Sequence, residues 1–395
     1  MLVRRVGWLM CAAAAGCGGG GSGGGGSAPP SPVPCQAGDA DLGSVVPSYS
    51  RGLIQLPDVA LSNQVQLGVG PVWESGSIGL CLPDDVISVV ALPSPGIPTS
   101  WQASGYDEVI DTSSVDALQA MVTPELMLPR GPLLPAQGGR HAVRFAGDTP
   151  QTLRPVLGLR RGALTFNGVF ALNLVLVQDA FASADEAKAA FDSASYFDSV
   201  YASVGLRVSA LGAGSIPDPA WSTVSTAQFY DLSQVGVTPS AEYPPLPDAV
   251  TVYFVRELLS GDTAGNVLGQ AMGVPGLPGV LGKLGVVISV DAHRGPTGAI
   301  VSSALWFTVS HEVAHWLGVR HTSERSGKTF DHLADTPECS AARDTNMNGL
   351  LEPGECAGAG TDNLMFWYYD PHGPPKRLTA DQGVVLRSSY VAESR

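Results

Sequence analysis

The stretch His311-Glu312-Val313-Ala314-His315-Trp316-Leu317-Gly318-Val319-Arg320-His321 decides how the rest of the chain is read. It lies at the end of an apolar run, about Ser303 to Leu317, whose spacing predicts a helix. Residues four apart share a helix face about one turn apart, so His311 and His315 can reach one metal ion at about 2.1 Å. Glu312 sits on a neighbouring azimuth, close enough to take a proton from a metal-bound water without being a ligand. Gly318 stands where the chain must leave the helix sharply, and glycine tolerates the positive φ this needs. The turn brings His321 back as a third ligand. Three neutral nitrogens leave the fourth zinc position open for water, the arrangement of a catalytic site, and zinc lowers that water's pKa to about 7. The short pattern HExxH recurs by chance. Here all five fixed positions of H-E-x-x-H-x-x-G-x-x-H are filled, and surface histidines would not account for Gly318 and His321 at those offsets.

Working outward, Phe170 to Val177 reads as a buried strand. Ser183 to Val204 has helical spacing, with Ser183 as N-cap, Glu186 three residues on and Gly205 at its C-terminal end. Leu206 to Leu211, Ala249 to Val255 and Leu284 to Val290 read as further strands. Strand, helix, three strands and helix predict an α+β or α/β domain with a twisted mixed sheet over residues 162–395. From Cys35 to Arg161 the text is different. Short runs such as Val65 to Leu67, Ile78 to Leu82, Val86 to Val90 and Ala142 to Phe145 alternate with Gly, Pro, Asp and Ser clusters. That pattern predicts a small all-β, antiparallel sandwich-like domain over 35–161, in which no cluster of titratable residues stands out.

The formal net charge of −14 argues against nucleic acid as a partner and favours bound cations. Arg4 and Arg5, then Val6 to Ala15, form the charged and apolar parts of an export signal too short to span a bilayer. Ala14-Ala15-Gly16-Cys17 resembles a bacterial lipobox, so residues 1–17 are expected to be a lipoprotein signal with Cys17 lipidated. Residues 18–34, GGGGSGGGGSAPPSPVP, form a linker that would let the protein stand off a membrane. Membrane attachment is therefore expected only through Cys17, in a bacterial cell envelope, with plain secretion as the alternative. Cys11 falls in the signal. Cys35, Cys81, Cys339 and Cys356 remain, and an even number in an exported chain favours disulfides. Three pairings are open; proximity favours Cys35–Cys81 and Cys339–Cys356.

The extended histidine motif resembles that of the metzincin metallopeptidases. The resemblance implies a metzincin-like domain with a methionine turn beneath the metal, and Asn363-Leu364-Met365 offers Met365 for it. Within that clan the chain most resembles the pappalysins over about residues 165–395, through His321-Thr322 followed by Asp335-Thr336-Pro337. By the same resemblance Leu268, Gly269, Gln270 and Ala271, up to Met272, form an edge strand at the rim of the cleft, on which an extended peptide could pair. The chain departs from the pappalysin pattern at Ser323, where Phe is usual, and at Phe366-Trp367-Tyr368-Tyr369. There Trp367 stands where some metzincins carry a transition-state tyrosine.

Asp344 to Glu355 has EF-hand-type spacing, with Asp344, Asn346, Asn348, the Leu350 carbonyl and Glu355 as candidate calcium ligands and Gly349 at the sharp turn. Cys339 and Cys356 bracket this loop. His141, His293, His332 and His372 have no ligand spacing and read as surface or hydrogen-bonded histidines. The sequence as a whole implies an exported zinc metalloendopeptidase cutting polypeptides with Glu312 as general base. A cell-surface binding or adhesion lipoprotein with little catalysis is the other class.

Overall fold

The computed structural model describes residues 34–66, 72–92, 99–103, 126–129, 131–132, 136–147, 151–191, 195–259, 267–331, 333–369 and 376–394. Residues 1–17 with Cys17, most of the 18–34 linker, His332 and His372 lie outside them.

The fold is mixed α/β, and a seven-stranded sheet organises the C-terminal part. Its order is Thr238–Pro239, Leu206–Ile216, Gly168–Val177, Val250–Val255, Gly285–Ser289 and Gly269–Ala271, with Glu393–Ser394 pairing beside Gly168–Val177. The four long strands run parallel, while Gly269–Ala271 is antiparallel to Gly285–Ser289 and ends the sheet. Central parallel strands are covered on both faces, which is why Gly168–Val177 and Gly285–Ser289 are near-continuous apolar text. Within the helical text after Ser183 lie the helices Ala184–Phe191 and Ser195–Ala202; residues 192–194 are not among those described. Ser183 Oγ accepts from the Glu186 amide at 3.1 Å, and the Glu186 carboxylate accepts from Ala182 N at 2.7 Å.

Helix Ser302–Trp316 packs across the sheet, and every residue from Leu305 to Trp316 is buried. Tyr201 Oη donates to the Ser310 carbonyl at 2.7 Å and Trp306 Nε1 to the Ala190 carbonyl at 2.8 Å, tying both earlier helices to this one. At the far end the Trp316 indole lies on Gly276. Its Nε1 donates to Lys283 O at 2.8 Å, and Gly276 N donates to Trp316 O at 2.8 Å. Burying aromatic and aliphatic side chains of this size is worth roughly 1.5–3 kcal/mol each.

Among the described residues, 34–161 form strands and no helix. One sheet runs Ala40–Asp41, Val72–Leu82, Gly139–Gly147 and Thr99–Ala103, with Asn63–Gln66 on Val72–Leu82. A second runs Arg51–Gln55, Val156–Arg161, Val86–Leu92 and Leu126–Leu128. Leu80 and Val143 of the first share a core with Val89, Leu157 and Leu159 of the second. The expected antiparallel order fails at one place: Ala40–Asp41 lies parallel to Leu80–Cys81, where Cys35 is joined to Cys81. Both disulfides, Cys35–Cys81 and Cys339–Cys356, are formed.

These strands are seated on the C-terminal part. Val90, Leu92 and Met127 belong to the same apolar core as Val313, Leu317 and Val385. Arg160 is buried, and its guanidinium donates to Ser389 O and Ser394 Oγ at 3.1 Å each and to Arg387 O. A methyl group at Gly276 would sit 1.7 Å from Trp316 Nε1. Gly276→Ala should therefore cost about 1–3 kcal/mol, read as a lower urea midpoint at unchanged slope.

Candidate metal centre

The helix ends in a reversal that places the third histidine. Gly318 N donates to His315 O at 2.8 Å and Val319 N to Ala314 O at 3.0 Å, with Gly318 at φ +112. This is a Schellman-type stop in which Gly318 takes the left-handed position. The same turn orients a ligand, since His315 Nδ1 lies 2.8 Å from the Val319 carbonyl.

The structure brings His311, His315 and His321 together, one ring nitrogen from each within 4.8 Å of the others. Ring centroids are 4.7 Å apart for His311–His315 and His315–His321 and 5.1 Å for His311–His321. Two rings are backed on Nδ1 by main-chain carbonyls, and the third meets a carboxylate at ion-pair distance without regular hydrogen-bond geometry. His311 Nδ1 lies 2.8 Å from Leu364 O, His315 Nδ1 faces Val319 O, and His321 Nδ1 lies 3.1 Å from Glu324 Oε1. A carbonyl only accepts, so Nδ1 of His311 and His315 carries the proton and Nε2 presents a lone pair. Burial, with the neighbouring imidazoles, pushes His311 down to about 3 and His315 well below its usual value, which keeps both rings neutral. Burial opposes charge on His321 as well, but the Glu324 carboxylate outweighs it and raises that ring.

The donor set fits a borderline cation such as zinc. The Nε2 atoms of His311 and His321 face each other at 3.0 Å, and His315 Nε2 is buried without a hydrogen-bond partner. Three imidazole nitrogens in nearly water-free surroundings, one of them orphaned, are accounted for by a metal among them.

Glu312 is 4% exposed and its Oε2 accepts from Ala271 N at 2.9 Å. Burial lifts its carboxyl to about 7, against the pull of His321 and the Ala271 amide. Ala271 lies on the edge strand Gly269–Ala271. Leu268 O and Met272 N bond inward to Ser289 N and Gly285 O, so Gly269 and Ala271 direct their main-chain groups away from the sheet. Leu268, Gly269, Gln270 and Ala271 are buried, and Gly269 lies against Thr308 and Glu312.

Met365 is fully buried in the core that holds Val313 and Leu364. Its turn is fixed by Met365 N donating to Asn363 Oδ1 at 2.8 Å, with Asn363 and Gln382 exchanging side-chain hydrogen bonds at 3.0 and 3.1 Å. Two main-chain groups of this turn serve the site: Leu364 O holds His311, and Met365 O accepts from Thr322 N at 3.1 Å. Trp367 turns away, packing with Cys339, Cys356, Leu351 and Phe366, and the Arg325 guanidinium lies 5.8 Å from its ring centre. Tyr369 stacks on Phe307, which borders His311.

The loop from Asp344 folds around its own side chains. Asp344 carboxylate oxygens accept from Asn348 N at 3.2 Å and Gly349 N at 2.8 Å, and Asn346 Oδ1 accepts from Asn348 N at 3.0 Å. Asn348 Oδ1 accepts from Leu350 N at 2.8 Å, while Glu355 accepts from Thr345 N at 2.7 Å and Glu352 N at 2.8 Å. Gly349 has φ +81.

The sequence reading missed Glu324, the carbonyls of Leu364 and Val319, and the Ala271 amide. Only Glu324 left a trace in the text, three residues past His321. It also missed Asp331, whose carboxyl, mostly buried, is lifted to about 7 and accepts from Thr336 Oγ1 at 2.6 Å.

No protein-family model matches the chain. Over 70 residues it is 40% identical to an extracellular metalloprotease of Colletotrichum graminicola, a match covering 15% of this chain and 24% of that protein. The chain thus spans about a quarter of the length of that curated relative. Among solved structures, mature mirolysin of Tannerella forsythia in complex with a cleaved peptide aligns at 17% identity over 56% of this chain and 91% of that one, with a TM-score of 0.38. Metalloproteinase-II of Bacteroides fragilis aligns at 12% identity over 60% of this chain and 63% of that one, with a TM-score of 0.33.

A Cβ at Gly318 would meet Met127 Sδ at 2.5 Å and would hold an unfavourable positive φ. Gly318→Ala should cost about 1–3 kcal/mol and weaken zinc retention together, measured by urea unfolding and metal content after dialysis.

Proposed function

We propose that the chain is a zinc-dependent metalloendopeptidase in which His311, His315 and His321 hold the metal and Glu312 is the general base. The observation that carries this is the convergence of three buried imidazoles on one point beside the buried Glu312 side chain. Zinc bound there would supply Lewis acidity to the scissile carbonyl and to the attacking water. Glu312 takes a proton from that water on a carboxylate oxygen and later delivers it to the leaving amine. The Ala271 amide keeps the carboxylate turned toward the site. The Ala271 N–H being taken by Glu312, the outward main-chain groups of Gly269 and the Ala271 carbonyl are those left to suit an extended polypeptide laid along the edge strand, with side-chain pockets setting preference. A metzincin-type assignment, with Met365 as the turn methionine and the pappalysins as the nearest pattern, is part of this reading.

The N-terminal strands, residues 35–161, are in this reading a structural module rather than a detachable inhibitor. Met127 reaches the Gly318 turn and Arg160 ties them to the last residues of the peptidase part. Export as an envelope lipoprotein through Cys17 completes the proposal. No helix among the described residues is long and apolar enough to cross a membrane. The 344–355 loop is proposed to hold a structural calcium ion through Asp344, Asn346, Asn348, Leu350 O and Glu355, on the support of oxygen-bearing side chains gathered over one turn.

Two measurements test this. The purified protein should carry one zinc and cleave denatured casein in a chelator-sensitive way. Glu312→Gln should keep the zinc and lose about 10²–10⁴-fold in kcat/KM; retained cleavage rules out the general-base role, and absence of zinc rules out the site. The base must be ionised, and a neighbouring cation favours ionisation, so kcat/KM should fall with decreasing pH along a limb at or below about 7. For the loop, millimolar calcium should raise Tm in the parent and leave Asp344→Ala unchanged; an equal rise in both removes calcium from the loop.

A further inference from the structure

Two of the three histidines are backed by main-chain carbonyls, Leu364 O and Val319 O. The third meets a side chain at ion-pair distance, its Nδ1 otherwise without a hydrogen-bond partner. Glu324 Oε1 lies 3.1 Å from His321 Nδ1, with the glutamate side chain 19% exposed and the imidazole 1%. We propose that Glu324 is the positioning residue of the third ligand, seating His321 so that Nε2 faces His311 and His315, and that its charge sets the affinity of the site for zinc. The inference rests on the zinc site proposed above and adds a residue to it.

The local backbone is built to hold Glu324 in place. Glu324 N donates to Thr329 O at 2.9 Å, Gly327 N returns a bond to Glu324 O at 2.8 Å, and Ser323 bridges to Phe330. On the other side Thr322 N is tied to Met365 O at 3.1 Å.

Charge balance gives the same result. Three neutral imidazoles bring no charge to a divalent ion. Glu312, 4% exposed, and Glu324, 3.1 Å behind His321, are acidic groups placed to offset that charge. A carboxylate on the far nitrogen also increases a ligand's basicity and fixes its ring plane, and removing such partners costs about 10–100-fold in metal affinity. Main-chain carbonyls cannot be substituted, so Glu324 is the point at which the support of this site can be changed by mutation.

The test uses the full chain and its Glu324→Gln, Glu324→Asp and Glu324→Ala variants. Zinc affinity is measured by competition with a chromophoric chelator, and the cobalt-substituted proteins are compared by visible absorption. Glu324→Ala should bind zinc about 10–100-fold more weakly with an altered cobalt spectrum. Glu324→Gln, which keeps shape and loses charge, should fall between, and Glu324→Asp should recover part of the loss. The thermal midpoints of the metal-free proteins should agree. If Glu324→Ala destabilises the metal-free fold, the near-isosteric Glu324→Gln decides. Zinc affinity within threefold of the parent in Glu324→Gln and an unchanged cobalt spectrum overturn the proposal. A parent that binds no zinc overturns the underlying site, and this inference with it.

Discussion

Three imidazole rings converge on one point inside this protein, nearly out of reach of water. Such an arrangement is repulsive unless each ring is held from behind and a cation can stand in front. Main-chain carbonyls hold two rings from behind, Leu364 O on His311 and Val319 O on His315, and the Glu324 carboxylate stands 3.1 Å from Nδ1 of the third. Each partner comes from a different loop. The methionine turn supplies the first, the reversal at Gly318 the second and the 322–330 hairpin-like bend the third. Much of the architecture around the helix end follows from the need to bring those three loops to one place.

The edge strand answers a related need. Glu312 is as buried as the histidines, and a carboxylate there requires a donor. The Ala271 amide is that donor, free because Ala271 lies at the end of the sheet and faces away from its neighbour. A central strand would have spent the same N–H on the ladder. The sheet edge and the carboxylate are therefore matched, and Gly269 between them is small enough to let the helix approach.

The histidines, Glu312, Gly318 and the helix that carries most of them were legible because their relations are local: i to i+4 on one face, then a stop. The parallel strands were legible from continuous apolar runs. Both disulfides followed from proximity in the chain. What the text did not carry was tertiary. Nothing near Ala271 in sequence announces that its amide meets Glu312, 41 residues on. Met127 reads as one more apolar residue until Gly318 is beside it. Trp367, which stands two residues after Met365 where some metzincins carry a tyrosine, is turned into the disulfide cluster, where a bulky apolar ring has partners.

The strand Glu393–Ser394 pairs with Gly168–Val169, and Arg160 reaches Ser389 and Ser394. The seam between the N-terminal strands and the sheet is thus closed by the last residues described. Arg160 and Ser394 are 234 residues apart, and closing a loop of that length is slow, so this seam forms late in folding. The two parts of the molecule are therefore locked together after each has taken shape, and the seam sets how firmly they stay joined rather than whether they form.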